Sequence, residues 1–118
     1  AARQLDFVPM ATKNMYFDRL ADEYFQIKDN IRQRCCFIQS NILELDAKLK
    51  QNYDVIYCQN VLIYFKQDRK QAVLEQLVER LKPGGLLVLG HGEVTSINSE
   101  KLTRVDNKHC LAYLRKDK

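Results

Sequence analysis

The chain has 118 residues, 46% hydrophobic and 29% charged, with a formal net charge of +4. That balance fits one small globular domain and excludes a low-complexity or fibrous chain. No apolar run approaches the about 20 residues of a membrane span, no secretory leader is visible, and the scattered Lys and Arg form no aromatic-laced stripe of the kind that binds nucleic acid.

Residues 1–15, "AARQLDFVPMATKNM", show no clear period, and Pro9 interrupts helix formation, so an irregular lead-in with about one helical turn is predicted. Residues 16–40 alternate aromatic and polar. "YFDRL", "EYFQIK" and "RCCFIQ" read as three short strands of a small antiparallel β-subdomain, with "DNIRQR" a helical turn in the alternative. From residue 41 to 118 the texture is α/β. "YDVIYC" has the continuous apolar run of a strand covered on both faces. Residues 68–82 place Val73, Leu74, Leu77, Val78 and Leu81 on one helical face, and Pro83, Gly84 and Gly85 end that helix. "LLVLG" follows as a second strand, which makes a strand–helix–strand unit with a parallel pair. "CLAYLRK" is a last strand, expected at the sheet edge. Three strands for the large sheet are fewer than an open sheet usually has, so the chain reads as part of a larger domain.

The four cysteines, Cys35, Cys36, Cys58 and Cys110, include no C-x-x-C pair. A disulfide framework and a zinc site are not expected, and a reducing cytoplasm is the simplest compartment. Two histidines, His91 and His109, lack the spacing of a metal site. The serines have no His–Asp context, and "KPGG" is not a phosphate-binding loop.

Polar clusters fall at three predicted strand exits, where open α/β sheets bind ligands. These are Asn41 with Ile42, the pair Gln59–Asn60, and "GHGE" from Gly90 to Glu93. Each has a plain structural role open to it. Asn41 suits a turn, the two amides suit loose backbone groups at a strand end, and the two glycines suit a turn. Their convergence on one rim is what points to a binding site.

"CFIQSNILE", "YDVIYCQNVLIYF" and "LKPGGLLVLGHGE" resemble, in order, the C-terminal half of the CheR-type protein-glutamate O-methyltransferases of bacterial chemotaxis. The resemblance runs from about Met15 to the end of the chain. It implies the C-terminal part of a class I S-adenosylmethionine-dependent methyltransferase, a Rossmann-like α/β fold, with the antiparallel subdomain inserted. By that resemblance Asn41, Ile42, Gln59 and Asn60 contact the cofactor S-adenosylmethionine, Tyr64 lies near the transferred methyl, and "GH-x-E" maps onto His91 and Glu93. Gln59 stands where the family usually has Arg, which removes a charge and a bidentate fork. The family's Gly-containing cofactor loop and ribose-binding acid have no counterpart in this chain.

The implied activity is methyl transfer to glutamate side chains of methyl-accepting chemoreceptors. The 118 residues alone are then expected to be an inactive fragment. Some relatives dock a receptor's C-terminal pentapeptide on the inserted subdomain. The Gly-free turn in "DRLADE" resembles the type that does not. No nucleic acid and no membrane insertion are expected, and a free sheet edge suggests a homodimer of the fragment. The competing reading is a non-catalytic methyltransferase-like interaction module that has lost the cofactor.

Overall fold

The computed structural model describes residues 5–21, 24–45, 49, 51–93 and 99–117. The chain divides into two compact units, residues 1–39 and 40–118. The first holds helix α1 (Met10–Tyr16), a hairpin of β1 (Phe17–Arg19) and β2 (Phe25–Ile27), and the single turn α2 (Asp29–Arg32). Pro9 stands at the N-cap of α1. It therefore starts the helix instead of breaking it, because an extended proline before the first turn sacrifices no helical hydrogen bond. From Met10 onward the lead-in is accordingly more regular than its sequence suggests. In the hairpin, Phe17 pairs with Ile27 and Arg19 with Phe25, and Lys13 lies 5.3 Å above the Phe25 ring.

The third predicted strand of this unit is absent. Asp29–Arg32 form a helical turn, closed by an ion pair of 2.9 Å between Arg32 and Asp29. Cys35 to Gln39 then run without a sheet partner. Aromatic character alone does not make a strand: Phe37 is 97% exposed, so the segment buries nothing that would offset its ordering.

The second unit is a four-stranded sheet in the order β3-β4-β6-β5, with helix α3 (Gln67–Arg80) on it. β3 (Tyr53–Cys58) and β4 (Leu81–Leu89) are parallel, and β4 pairs antiparallel with β6 (Leu111–Arg115). The edge beyond β6 is β5 (Leu102–Val105), which the sequence reading missed. "CLAYLRK" is thus an inner strand and not the edge. "LTRV" carries only two apolar residues, too few for a visible alternation.

The core forms between α3 and one face of this sheet. Val73, Leu74, Leu77 and Val78 of α3 pack with Cys58, Leu87, Leu89 and Leu111. The helix ends where Leu81 turns extended, two residues before Pro83, as the restriction on a residue preceding proline favours. Arg115 donates to the carbonyls of Val78 and Glu79 at 3.1 and 3.2 Å, and also to that of Leu81. It thereby satisfies the helix's free C-terminal acceptors. The opposite face differs from the sequence expectation. Val55, Leu86 and Leu114 are cross-strand neighbours there, and Val55 and Tyr57 are 55% and 66% exposed. Within residues 40–118, α3 covers the face of β3 that carries Cys58, and the described residues leave the Val55 and Tyr57 face open.

Two stability predictions follow from this asymmetry. Leu87→Ala, at a fully buried position, should lower unfolding free energy by about 2–5 kcal/mol in urea titrations. Val55→Ala on the open face should change it by about 0.5 kcal/mol or less. Burial pushes the Cys58 thiol above its usual 9.0, and the Glu93 carboxylate adds to the shift. The folded state therefore holds this proton after the unfolded chain has released it. The corresponding stability is complete below 9.0 and is lost as pH rises through the folded value. Denaturant midpoints should fall with pH above 9.0 more steeply in the native sequence than in Cys58→Ala.

Candidate functional site

The ladder between the parallel strands ends with Cys58 opposite Leu89. Both chains then leave the sheet at their carboxyl ends, and the polar residues gather there. Gln59 is exposed, and its side-chain oxygen accepts a hydrogen bond from the Tyr57 hydroxyl. Asn60 turns the chain with φ at +60°, a conformation Asn tolerates better than other residues with a β-carbon. A 3-10 turn, Leu62–Tyr64, follows. It drives Leu62 wholly into the core and leaves Tyr64 80% exposed at the rim.

The exit of β4 is built to meet this turn. Gly90 lies so close that a β-carbon there would come within 2.8 Å of Gln59 Cγ and 3.0 Å of Glu93 Oε2. The backbone reverses at Gly92, whose φ is +76°. This returns Glu93 to the strand ends at only 1% exposure. Its Oε1 accepts the Val61 N–H at 2.8 Å, and its Oε2 accepts the Gly90 N–H at 2.8 Å. Lys70 of α3 donates to the Glu93 carbonyl at 3.0 Å. A buried carboxylate is tolerable only when its oxygens are satisfied in this way. His91, by contrast, is exposed.

Asn41 and Ile42 are held from a different side. Asn41 Oδ1 accepts the Leu43 N–H at 3.0 Å, which makes a local turn. Ile42, Leu43 and Leu45 pack against the core. Gln76 of α3 accepts from the Leu45 N–H at 3.1 Å and donates to the Leu43 carbonyl at 3.0 Å, and Arg80 donates to the Leu45 carbonyl at 3.1 Å. The structure thus joins Gln59 and Val61, with Asn60 between them, to the Gly90–Glu93 turn. Among the described residues it shows no hydrogen bond from Asn41 to Gln59 or Asn60.

The sequence alone shows no role for Glu93 beyond its place in "GH-x-E", and none for Lys70 and Gln76. A signal for Glu93 did exist: an acid three residues after a glycine that closes a fully apolar strand. Lys70 and Gln76 lie on the polar side of an amphipathic helix, where nothing distinguishes a brace from a solvated side chain.

Residues 1–111 match the model of the CheR methyltransferase, SAM binding domain. The chain is 39% identical over 97 residues to chemotaxis protein methyltransferase 2 of Vibrio cholerae serotype O1, covering 81% of this chain and 34% of that protein. It is 38% identical over 93 residues to a chemotaxis protein methyltransferase of Vibrio anguillarum, covering 79% and 34%. The chain therefore spans about a third of the length of these relatives. The N-methyltransferase NodS of Bradyrhizobium japonicum, solved with S-adenosyl-L-homocysteine, superposes with a TM-score of 0.53 at 21% identity, over 75% of this chain and 59% of that one. That likeness establishes the α/β, Rossmann-like class I methyltransferase fold. With the family match extending over nearly all its residues, the chain belongs to the CheR methyltransferase family, as part of its S-adenosylmethionine-binding domain.

Proposed function

We propose that this chain supplies one wall of the cofactor cleft of a protein-glutamate O-methyltransferase acting on methyl-accepting chemoreceptors. The observation that carries the reading is the joined rim. Gln59 and Asn60 leave β3 at the end of a parallel pair and stand against the Gly90–Glu93 turn. This is where open α/β sheets receive nucleotide-like ligands.

The residues suit S-adenosylmethionine on chemical grounds. The cofactor offers an adenine, ribose hydroxyls and an amino-acid end, all served by neutral amides and backbone groups. Asn60 and Gln59 present exposed carboxamides at the rim. Asn41 keeps its amide nitrogen without a partner among the described residues, while its oxygen serves the turn. Ile42, half-buried against the core, gives an apolar surface for a flat ring. When bound, the cofactor supplies an electrophilic methyl on a sulfonium sulfur. The substrate glutamate, with an ordinary pKa of about 4.3, is already ionised at neutral pH and would need no base to accept that methyl, the S–CH3 bond breaking and S-adenosylhomocysteine leaving. Orientation and exclusion of water then carry the rate, and good orientation is worth roughly 7–11 kcal/mol. Tyr64, exposed on its rigid turn, is the side chain assigned to guide the acceptor.

Receptor recognition without pentapeptide docking belongs to the same proposal, as does a cytoplasmic location. The hairpin has strands of three residues each. Asp22 and Glu23 of its turn lie outside the described residues. Among the described residues no helix is long and apolar enough to cross a membrane.

Titration of the intact gene product with S-adenosylhomocysteine tests the reading. Saturable amide shifts are expected at Gln59 and Asn60. Asn60→Gly keeps the left-handed turn and removes only the carboxamide, so it should weaken binding about tenfold, the equivalent of one good hydrogen bond. Tyr64→Ala should leave affinity within about twofold and lower methyl transfer to receptor glutamates by about 10²-fold. A product that binds no S-adenosylhomocysteine would instead be the non-catalytic interaction module, whose exposed Val55 and Tyr57 offer an apolar contact face.

A further inference from the structure

We infer that Glu93 is a positioning residue: its buried carboxylate sets the conformation of the cofactor-facing turn Gln59–Val61. The inference rests on the reading of the rim given above. Pairing between β3 and β4 stops at Cys58 and Leu89, so the residues that face the ligand lie beyond the last ladder bond. There Glu93 takes over from the ladder. One carboxylate holds the Val61 N–H of one exit and the Gly90 N–H of the other, each at 2.8 Å.

The turn needs such an anchor. Asn60 holds φ at +60°, a conformation that Asn tolerates but that still costs more than a right-handed or extended one, so a fixed neighbour helps to hold it. Val61, the next residue, is the one whose N–H Glu93 accepts. The anchor is in turn fixed. Lys70 donates to the Glu93 carbonyl at 3.0 Å, and the Glu93 N–H reaches back to the Gly90 carbonyl at 3.4 Å. Gly90 is the residue that permits the close approach, since a β-carbon would meet both Gln59 and Glu93.

The chemistry separates this role from mere space-filling. Glutamine has nearly the shape of glutamate, yet one of its two terminal atoms is a donor. Whichever way it is turned, it presents an N–H to a backbone N–H and can keep only one of the two bonds. Glu93→Gln therefore preserves packing and breaks the bridge.

The experiment is amide hydrogen exchange of the intact gene product, native and Glu93→Gln, together with S-adenosylhomocysteine titration. Exchange at Val61 or Gly90 should rise at least tenfold, ladder amides such as Leu87 and Ala112 should stay unchanged, and S-adenosylhomocysteine should bind about tenfold more weakly. Unchanged exchange at both Val61 and Gly90 overturns the inference. So does equal acceleration throughout the sheet, which marks general destabilisation, or accelerated local exchange with undiminished affinity. If the native protein binds no S-adenosylhomocysteine, the proposed function fails, and the bridge is then decided by the two amides alone. Should Glu93→Gln not fold, Lys70→Met loosens the same bridge from the surface of α3. It should accelerate the same two amides at least threefold, and no change there overturns the inference.

Discussion

A single buried carboxylate joins the two strand ends on which the proposed cofactor rim is built. Parallel neighbours in a sheet share hydrogen bonds only as far as their ladder runs, and here it stops at Cys58 and Leu89. Beyond that point the exits would diverge, each carrying backbone donors with nothing to meet. Glu93 answers both at once, from a position 1% exposed. The same charge is felt at Cys58, whose thiol it helps to keep protonated after burial has already pushed it up. Placing a charged group at the edge of an apolar core is unfavourable alone. Two backbone donors make it tolerable and convert the burial into a fixed geometry.

Helix α3 is the second organising element, and it works on both of its sides. Its apolar stripe, Val73, Leu74, Leu77 and Val78, closes the core. Its polar flank braces loops that have no regular structure of their own. Lys70 holds the Glu93 carbonyl, while Gln76 and Arg80 hold the backbone from Leu43 to Leu45. Gln76 pairs with one N–H and one C=O of that segment, as a neighbouring strand would. The loop bearing Asn41 and Ile42 is thereby tied to the same helix that packs beneath β3 and β4. One rigid element thus references both groups of candidate cofactor contacts, which suits a site that works by orientation.

Much of this was legible in the sequence where the cause is local. The apolar face of α3 appears at helical spacing, "YDVIYC" is bounded as a strand, and the amides of Gln59 and Asn60 announce an exit by standing at the end of an apolar run. What escaped depends on partners distant in the chain. Cys35–Gln39 has the composition of a strand but finds no neighbour to pair with. β5 is too short and too charged to show a period, and exists because β6 offers it an edge. Pro9 was read as a breaker because its sequence context does not reveal on which side of it the helix lies. Glu93 is the clearest case, since its burial is created by Gly90, Val61 and Lys70 together and is carried by none of them singly.

The open face of the sheet shows the same limit from the other direction. Val55, Tyr57, Val88 and Leu114 give β3, β4 and β6 the composition of strands buried on both sides, as parallel sheets in α/β proteins usually are. Within residues 40–118, the described residues bring helix α3 to one face. Apolar side chains on the other face contribute to strand propensity and cross-strand contact. They gain little from burial, since each Å² that stays exposed forgoes the roughly 25 cal/mol that leaving water would give. The rim does not share this deficit. Glu93, Leu62 and Ile42 anchor to the covered side, through the core and α3. The bonds that hold the Gln59–Val61 turn, from Glu93 to both strand exits and from Lys70 to Glu93, lie within residues 40–118 and on the side of the sheet that α3 covers.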